Sequence, residues 1–213
     1  MLGYSIDQMV SLVVVLIVAF TVHEYAHAWT ADFFGDDTPR LQGRLTLNPL
    51  KHLDPIGTLM LFFAGFGWAK PVMVNPVALE QRSPAAPMLV ALAGPVSNFI
   101  MAVVAALPIR LGLVQMSFGS GGWLPTAFTL LYIFISLNLL LGIFNLIPVS
   151  PLDGEKVLYY FLPPVGRRGF DLMRQWTPIP MLIVLFVLPR IGLPLVQWVV
   201  GVPVAFLTRL LIG

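Results

Sequence analysis

His23, Glu24 and His27 are spaced as H-E-x-x-H. On a helix, residues four apart share a face, so the two imidazoles can bind one metal ion. The carboxylate beside the first imidazole can take a proton from water without ligating the metal itself. Zinc suits imidazole nitrogen combined with a carboxylate oxygen, and a catalytic zinc keeps three protein ligands with a fourth position left for water. Such an ion lowers the pKa of water to about 7 and polarises a carbonyl, so the expected chemistry is hydrolysis. A third ligand must come from elsewhere. Asp153, in Leu152-Asp153-Gly154, is the candidate, and Glu155 is its nearest competitor.

The motif lies in an apolar run that starts near Met9, continues through Val22 and resumes at Ala28 to Ala31. That is ~23 residues, or ~34 Å of helix, enough to cross a bilayer. Ala26-His27-Ala28 resembles a signal-peptide cleavage site, but residues 1–8 hold no Lys or Arg and the run leads into a His-Glu pair. A charged group near the centre of a membrane span costs at least ~2.5–3.5 kcal/mol, so ionisable residues there tend to mark function.

Further spans are expected over Ala85–Ile109 and Leu124–Val149. The stretch Ile179–Gly213 is broken by Pro189-Arg190 and Pro194 and reads as two segments. Residues 56–68 are apolar but too short to cross comfortably, and their glycines and aromatics suggest a re-entrant or interfacial element with strand character. The fold expected is an all-α polytopic membrane protein of about five or six membrane segments, residues 1–213 forming one domain. Composition agrees, with 58% hydrophobic and 10% charged residues, against roughly 25% charged in soluble domains. The absence of cysteine excludes disulfides, thiolate zinc sites and iron–sulfur clusters. Basic residues are dispersed, with only Arg167 and Arg168 adjacent, so nucleic acid is not an expected partner.

Those basic residues set an orientation. Arg40, Arg44, Lys51, Lys70 and Arg82 fall between the first two spans, and Lys156, Arg167, Arg168 and Arg174 follow the third; Arg110 stands on the opposite side. The positive-inside rule puts 35–84 and 150–178 in the cytoplasm. The first and third spans then exit on the same side, which lets His23, His27 and Asp153 meet at similar depth, toward the cytoplasm of a multi-pass cell-membrane protein. Asp-Gly is also a common turn pair, but its place after a span favours the ligand reading. Asn145 and Asn138 share one face of the third span; an amide there can steady the oxyanion of peptide hydrolysis or bond a neighbouring helix. Asn98 reads as a helix–helix hydrogen bond. His52 and Asp54 read as surface turn residues, with a gating role as the sharper option.

Taken together, the chain resembles the site-2 protease family of intramembrane zinc metalloproteases, in a compact bacterial-type branch without PDZ-like or CBS domains. The matching stretches are His23-Glu24-x-x-His27, Ala93-Gly94-Pro95-Val96-Ser97-Asn98 and Asn145 to Gly154, with Gly43 to Pro55 and Trp68 to Val72 resembling that branch. The resemblance implies a three-helix catalytic core, one zinc held by His23, His27 and Asp153, Glu24 as the acid–base residue, and substrates that are transmembrane segments cut in regulated intramembrane proteolysis. Asn145 is the further catalytic candidate. A homo-oligomer is compatible with the sequence.

A transmembrane substrate hides its peptide bonds in its own helix, so it must unwind and pair with an edge strand; Phe62–Val74, with Gly65 and Gly67, is the expected edge. The competing class is a membrane metal or ion transporter, which would also place His, Asp and Asn in the membrane. No inverted repeat supports it, and a glutamate directly beside a ligand histidine suits hydrolysis better.

Overall fold

The computed structural model describes residues 5–57, 60, 67–118, 123–177 and 179–213. Three helices are long and apolar enough to cross a membrane: α1 (Ile6–Phe33), α4 (Ala86–Arg110) and α5 (Ala127–Asn145). Each is apolar around most of its circumference. Val14, Val18, Val103, Val104, Leu107 and Leu140 are exposed, which fits lipid rather than water on those faces. Helix α1 starts after Ser5, whose N–H donates to the Gln8 side chain at 3.2 Å, and it ends before Gly35, which takes φ +83° to turn the chain.

Packing gives the three spans alternating directions. The late part of α1 meets the early part of α4, where Ala31 packs with Ala86 and Val90. Late α4 meets early α5, where Ala102, Ala106 and Ile109 pack with Phe128, Ile135 and Leu139. Leu16 and Ala19 of α1 close the bundle against Leu141 of α5. The contact residues on α1 and α4 are largely alanine and glycine, which lets backbones approach where no hydrophobic force separates protein from lipid. Pro95 and Pro108 sit within α4 without ending it.

Short elements decorate one end of the bundle. Helix α2 (Thr38–Leu41) and a 3₁₀ turn (Pro49–Lys51) lie in the connection after α1. Residues 67–75 have no regular element beyond an antiparallel bridge between Leu53 and Ala69, and α3 (Pro76–Arg82) leads to α4. Strand character was expected over 56–68; Ile56 and Gly57 are instead helical and the only β-pairing among the described residues is the single bridge at Ala69, while Thr58, Leu59 and residues 61–66, with Gly65 among them, lie outside the described residues. After α5 come α6 (Asp153–Phe161) and α7 (Pro164–Arg174).

The C-terminal stretch is helical in two pieces separated at Gly192 (φ +83°). The first is α8 (Ile179–Leu182), which continues through a π-helical turn at Ile183–Val187. The second is the shorter apolar helix Gln197–Ile212, of which α9 is Val202–Ile212. Its Val204, Leu207 and Leu211 pack on the α4–α5 core. Arg110, at the end of α4, donates to the carbonyls of Leu210 and Leu211 at 2.5 and 3.0 Å, so the final helix is capped by the second span. The structure shows the coarser of the expected arrangements: all helical, with three spanning helices and a shorter apolar C-terminal one.

Candidate metal centre

His23 and His27 project from one face of α1 and are buried. Their Nε2 atoms are 3.0 Å apart, and each is 3.2 Å from Oδ2 of Asp153. Asp153 opens α6, one short turn beyond α5. The turn is tight because a Cβ on Gly154 would collide with the carbonyls of Leu146 and Ile147. The glycine of the Asp-Gly pair therefore serves backbone approach, and that approach carries the aspartate under α1.

Hydrogen bonds on the far side of each ring fix its tautomer. His23 Nδ1 donates to Asn98 Oδ1 at 2.6 Å, and His27 Nδ1 donates to the Val90 carbonyl at 2.7 Å. Both Nε2 atoms are then left with lone pairs, aimed at each other and at a carboxylate oxygen. Three acceptors converging in a buried space repel one another unless a cation stands among them. With Zn–N and Zn–O bonds of roughly 2.0–2.1 Å, neighbouring donors in a tetrahedral set lie about 3.3 Å apart, close to the spacing here. The donor set, its geometry and its outer hydrogen bonds all fit zinc. Asp153 is buried beside both imidazoles, and as a carboxylate it completes a donor set of the kind that holds zinc.

Space for the ion comes from Gly94. A Cβ there would strike His27 Nε2 and lie 2.6 Å from His23 Nε2. Gly94 and Asn98 are four apart on the face of α4 that meets α1, a small residue and an amide at helical spacing, and that pattern was a readable signal for the contact. Asn98 was expected as a helix–helix bond, and it is one: its Nδ2 donates to Asn138 Oδ1 at 2.8 Å, and Asn138 Nδ2 donates to the Phe134 carbonyl at 2.9 Å. The same amide orients His23, so α5 reaches the candidate metal centre through two asparagines.

Glu24 sits beside the ligands, and its Oε2 accepts from the Val72 N–H at 3.0 Å. Asn145 lines the same cavity, of about 310 Å³, together with Val72, Val74, Pro151 and Tyr159. Its Nδ2 donates to the Leu141 carbonyl at 2.9 Å, and among the described residues its second N–H has no acceptor. Glu155 is buried and pairs with Arg174, which lines the same cavity. His52 is a correction to the surface reading: it is fully buried, with Nε2 2.7 Å from the Thr46 carbonyl. It organises the inside of its loop. Asp54 caps locally, accepting from the Gly57 N–H at 2.8 Å. Two residues that sequence reading left among the loop charges are also buried, Asp36 and Arg44.

A buried His-His-Asp centre with a glutamate at its side, set among membrane-spanning helices, defines the class of intramembrane zinc metalloproteases. Comparison with known proteins agrees. Residues 111–187 match the model of peptidase family M50. The chain is 44% identical over 192 residues to "Putative zinc metalloprotease YwhC" of Bacillus subtilis (strain 168), covering 88% of this chain and 85% of that one. It is 30% identical to "Putative zinc metalloprotease Rip2" of Mycolicibacterium smegmatis, covering 85% of this chain and 70% of the relative. The Rip2 of Mycobacterium tuberculosis (strain ATCC 25618 / H37Rv) is 32% identical, with 87% and 68% covered. No solved structure matches. The chain belongs to peptidase family M50, the site-2 protease family, and zinc is its metal.

Proposed function

We propose that the chain, as a single membrane domain, cuts peptide bonds within or near transmembrane segments of membrane proteins, with His23, His27 and Asp153 as the zinc ligands and Glu24 as the acid–base residue. The observation that carries this reading is the convergence of two imidazole nitrogens and one carboxylate oxygen, within 3.2 Å of one another, beside Glu24 on the same helix.

When bound, zinc supplies Lewis acidity toward water and toward the scissile carbonyl. The chain's own residues do the rest. Glu24, held through Oε2, presents its other oxygen to take a proton from the attacking water and later returns it to the leaving amine. Asn145 offers its free N–H to the carbonyl oxygen as charge develops there. The 67–75 segment offers backbone partners to an unwound substrate, and Val72 and Val74 line the cavity on that side. The distribution of basic residues supports a cytoplasmic location for the loops around the site.

The test is zinc stoichiometry together with cleavage of a transmembrane-segment peptide in reconstituted vesicles. The parent and Glu24→Gln should both hold about one zinc per chain, and only the parent should cleave. Cleavage by Glu24→Gln, or zinc retained in full by Asp153→Ala, overturns the assignment. The chain has no cysteine, so single cysteines at Asp37, Arg168 and Leu113 can be labelled with an impermeant maleimide in whole cells. Protection of the first two and labelling of the third is the expected pattern, and the reverse overturns the orientation.

A further inference from the structure

Arg44 is 3% exposed although it lies in a connecting loop. Among the described residues no carboxylate forms an ion pair with it. Its guanidinium is satisfied by carbonyls instead. Nη1 donates to Lys51 O at 2.5 Å, and Nη2 donates to Lys70 O at 3.1 Å and to Pro71 O at 2.8 Å. A buried cation without an anion is costly to a fold and calls for a reason.

The reason lies at Pro71. Its carbonyl and the Val72 N–H belong to one planar peptide group. The oxygen of that group accepts from Arg44, and its N–H donates to Glu24 Oε2. A single peptide unit therefore stands between a buried guanidinium and the carboxylate that moves protons. Hydrogen bonds in series polarise one another. A cation on the carbonyl draws charge toward oxygen and makes the N–H a stronger donor, which binds the glutamate more firmly. Glutamate has several rotamers to lose, and a general base works only within hydrogen-bond reach of its proton.

Other bonds hold the 67–75 segment at its ends. Lys70 N–H donates to His52 O at 2.8 Å, and Asn75 N–H donates to Asp36 Oδ2 at 2.6 Å. Arg44 differs from these in gripping the very peptide group that meets Glu24. Its planar fork spans carbonyls that a lysine ammonium cannot bridge together.

We propose that Arg44 is a positioning residue for Glu24, acting through the Pro71–Val72 peptide group. The proposal rests on Glu24 being the acid–base residue. The test uses the full chain, loaded with zinc, in four forms besides the parent: Arg44→Gln, Arg44→Lys, Val72→Pro and the Arg44→Gln/Val72→Pro double variant. Proline at 72 removes the N–H. Each single variant should lose about ten- to hundredfold in kcat, the range for outer-shell partners, with KM and zinc content unchanged. The double variant should fall no lower than the weaker single, because both changes break one link. Arg44→Lys should recover only part of the loss.

A second readout does not depend on turnover. In ¹⁵N-valine-labelled protein, the Val72 amide proton should move upfield in both Arg44→Gln and Glu24→Gln. Losses that multiply in the double variant, an unchanged kcat in Val72→Pro, or a Val72 resonance indifferent to Arg44 would overturn the proposal. If Arg44→Gln does not fold, Arg44→Lys carries the same cycle. A parent that cleaves nothing sinks the proteolytic assignment, and the amide resonance still decides whether Arg44 governs the contact with Glu24.

Discussion

The two halves of the centre are built from different materials. The metal half lies inside the helix bundle. Its histidines are tied to α4 by Asn98 and Val90, and α4 is tied to α5 by Asn138. The base half is assembled by a loop that lies against the bundle, where Val72 reaches Glu24 and is itself fastened by Arg44 and flanked by the Asp36 anchor. Buried, fully satisfied polar networks between helices are rigid, whereas loop segments open at lower free energy. The histidine side is thus the more rigid of the two, and the Glu24 side, held by loop backbone, opens at lower free energy.

The sharpest way to break this division is to attack the metal half directly. Asp153→Ala removes a ligand and Gly94→Ala places a methyl group where the ion belongs; both should reduce zinc from about one per chain to almost none, read by elemental analysis, with cleavage lost in parallel. Glu24→Gln tests the other half. It should keep the zinc and lose about 10²- to 10⁴-fold in kcat, the usual range for a general acid–base group. Asn98→Leu comes next, weakening zinc about 10- to 100-fold in a competition titration as an outer-shell change; Asn138→Leu, one bond further away, should weaken it less. Asp36→Ala has the smallest effect. It should leave zinc untouched and loosen the Asn75 end of the 67–75 segment by about 1.5–3 kcal/mol, the worth of a hydrogen bond to a charged group, seen as faster hydrogen exchange over 69–77. A loss of zinc in Asp36→Ala would show that the halves are not separate.

The same division explains what was legible in the sequence. Hydropathy locates the three long spans, though not the five or six segments expected, and their alternation alone brings Asp153 to the histidines; no side-chain packing is needed to see it. The rotational phase of the helices is not written in hydropathy, because α1, α4 and α5 are apolar on nearly every side. That is why Asn98 was readable as a helix–helix bond and its grip on His23 was not. Val90 and Val72 act through backbone groups, which leave no mark in residue type. Arg44 counted toward the orientation as one more cytoplasmic charge, and His52 as a turn residue. Both are buried against carbonyl acceptors, Arg44 on Lys51, Lys70 and Pro71 and His52 on Thr46, and residue type alone gives no sign of such backbone partners.

Gly94 has a consequence for how the protein opens. At that level α1 and α4 touch backbone to ring, and the His23–Asn98 and His27–Val90 bonds cross the same seam. A helix wedged between α1 and α4 would have to part this seam and would strip His23 and His27 of their bonds to Asn98 and Val90. These two helices are therefore the doorpost.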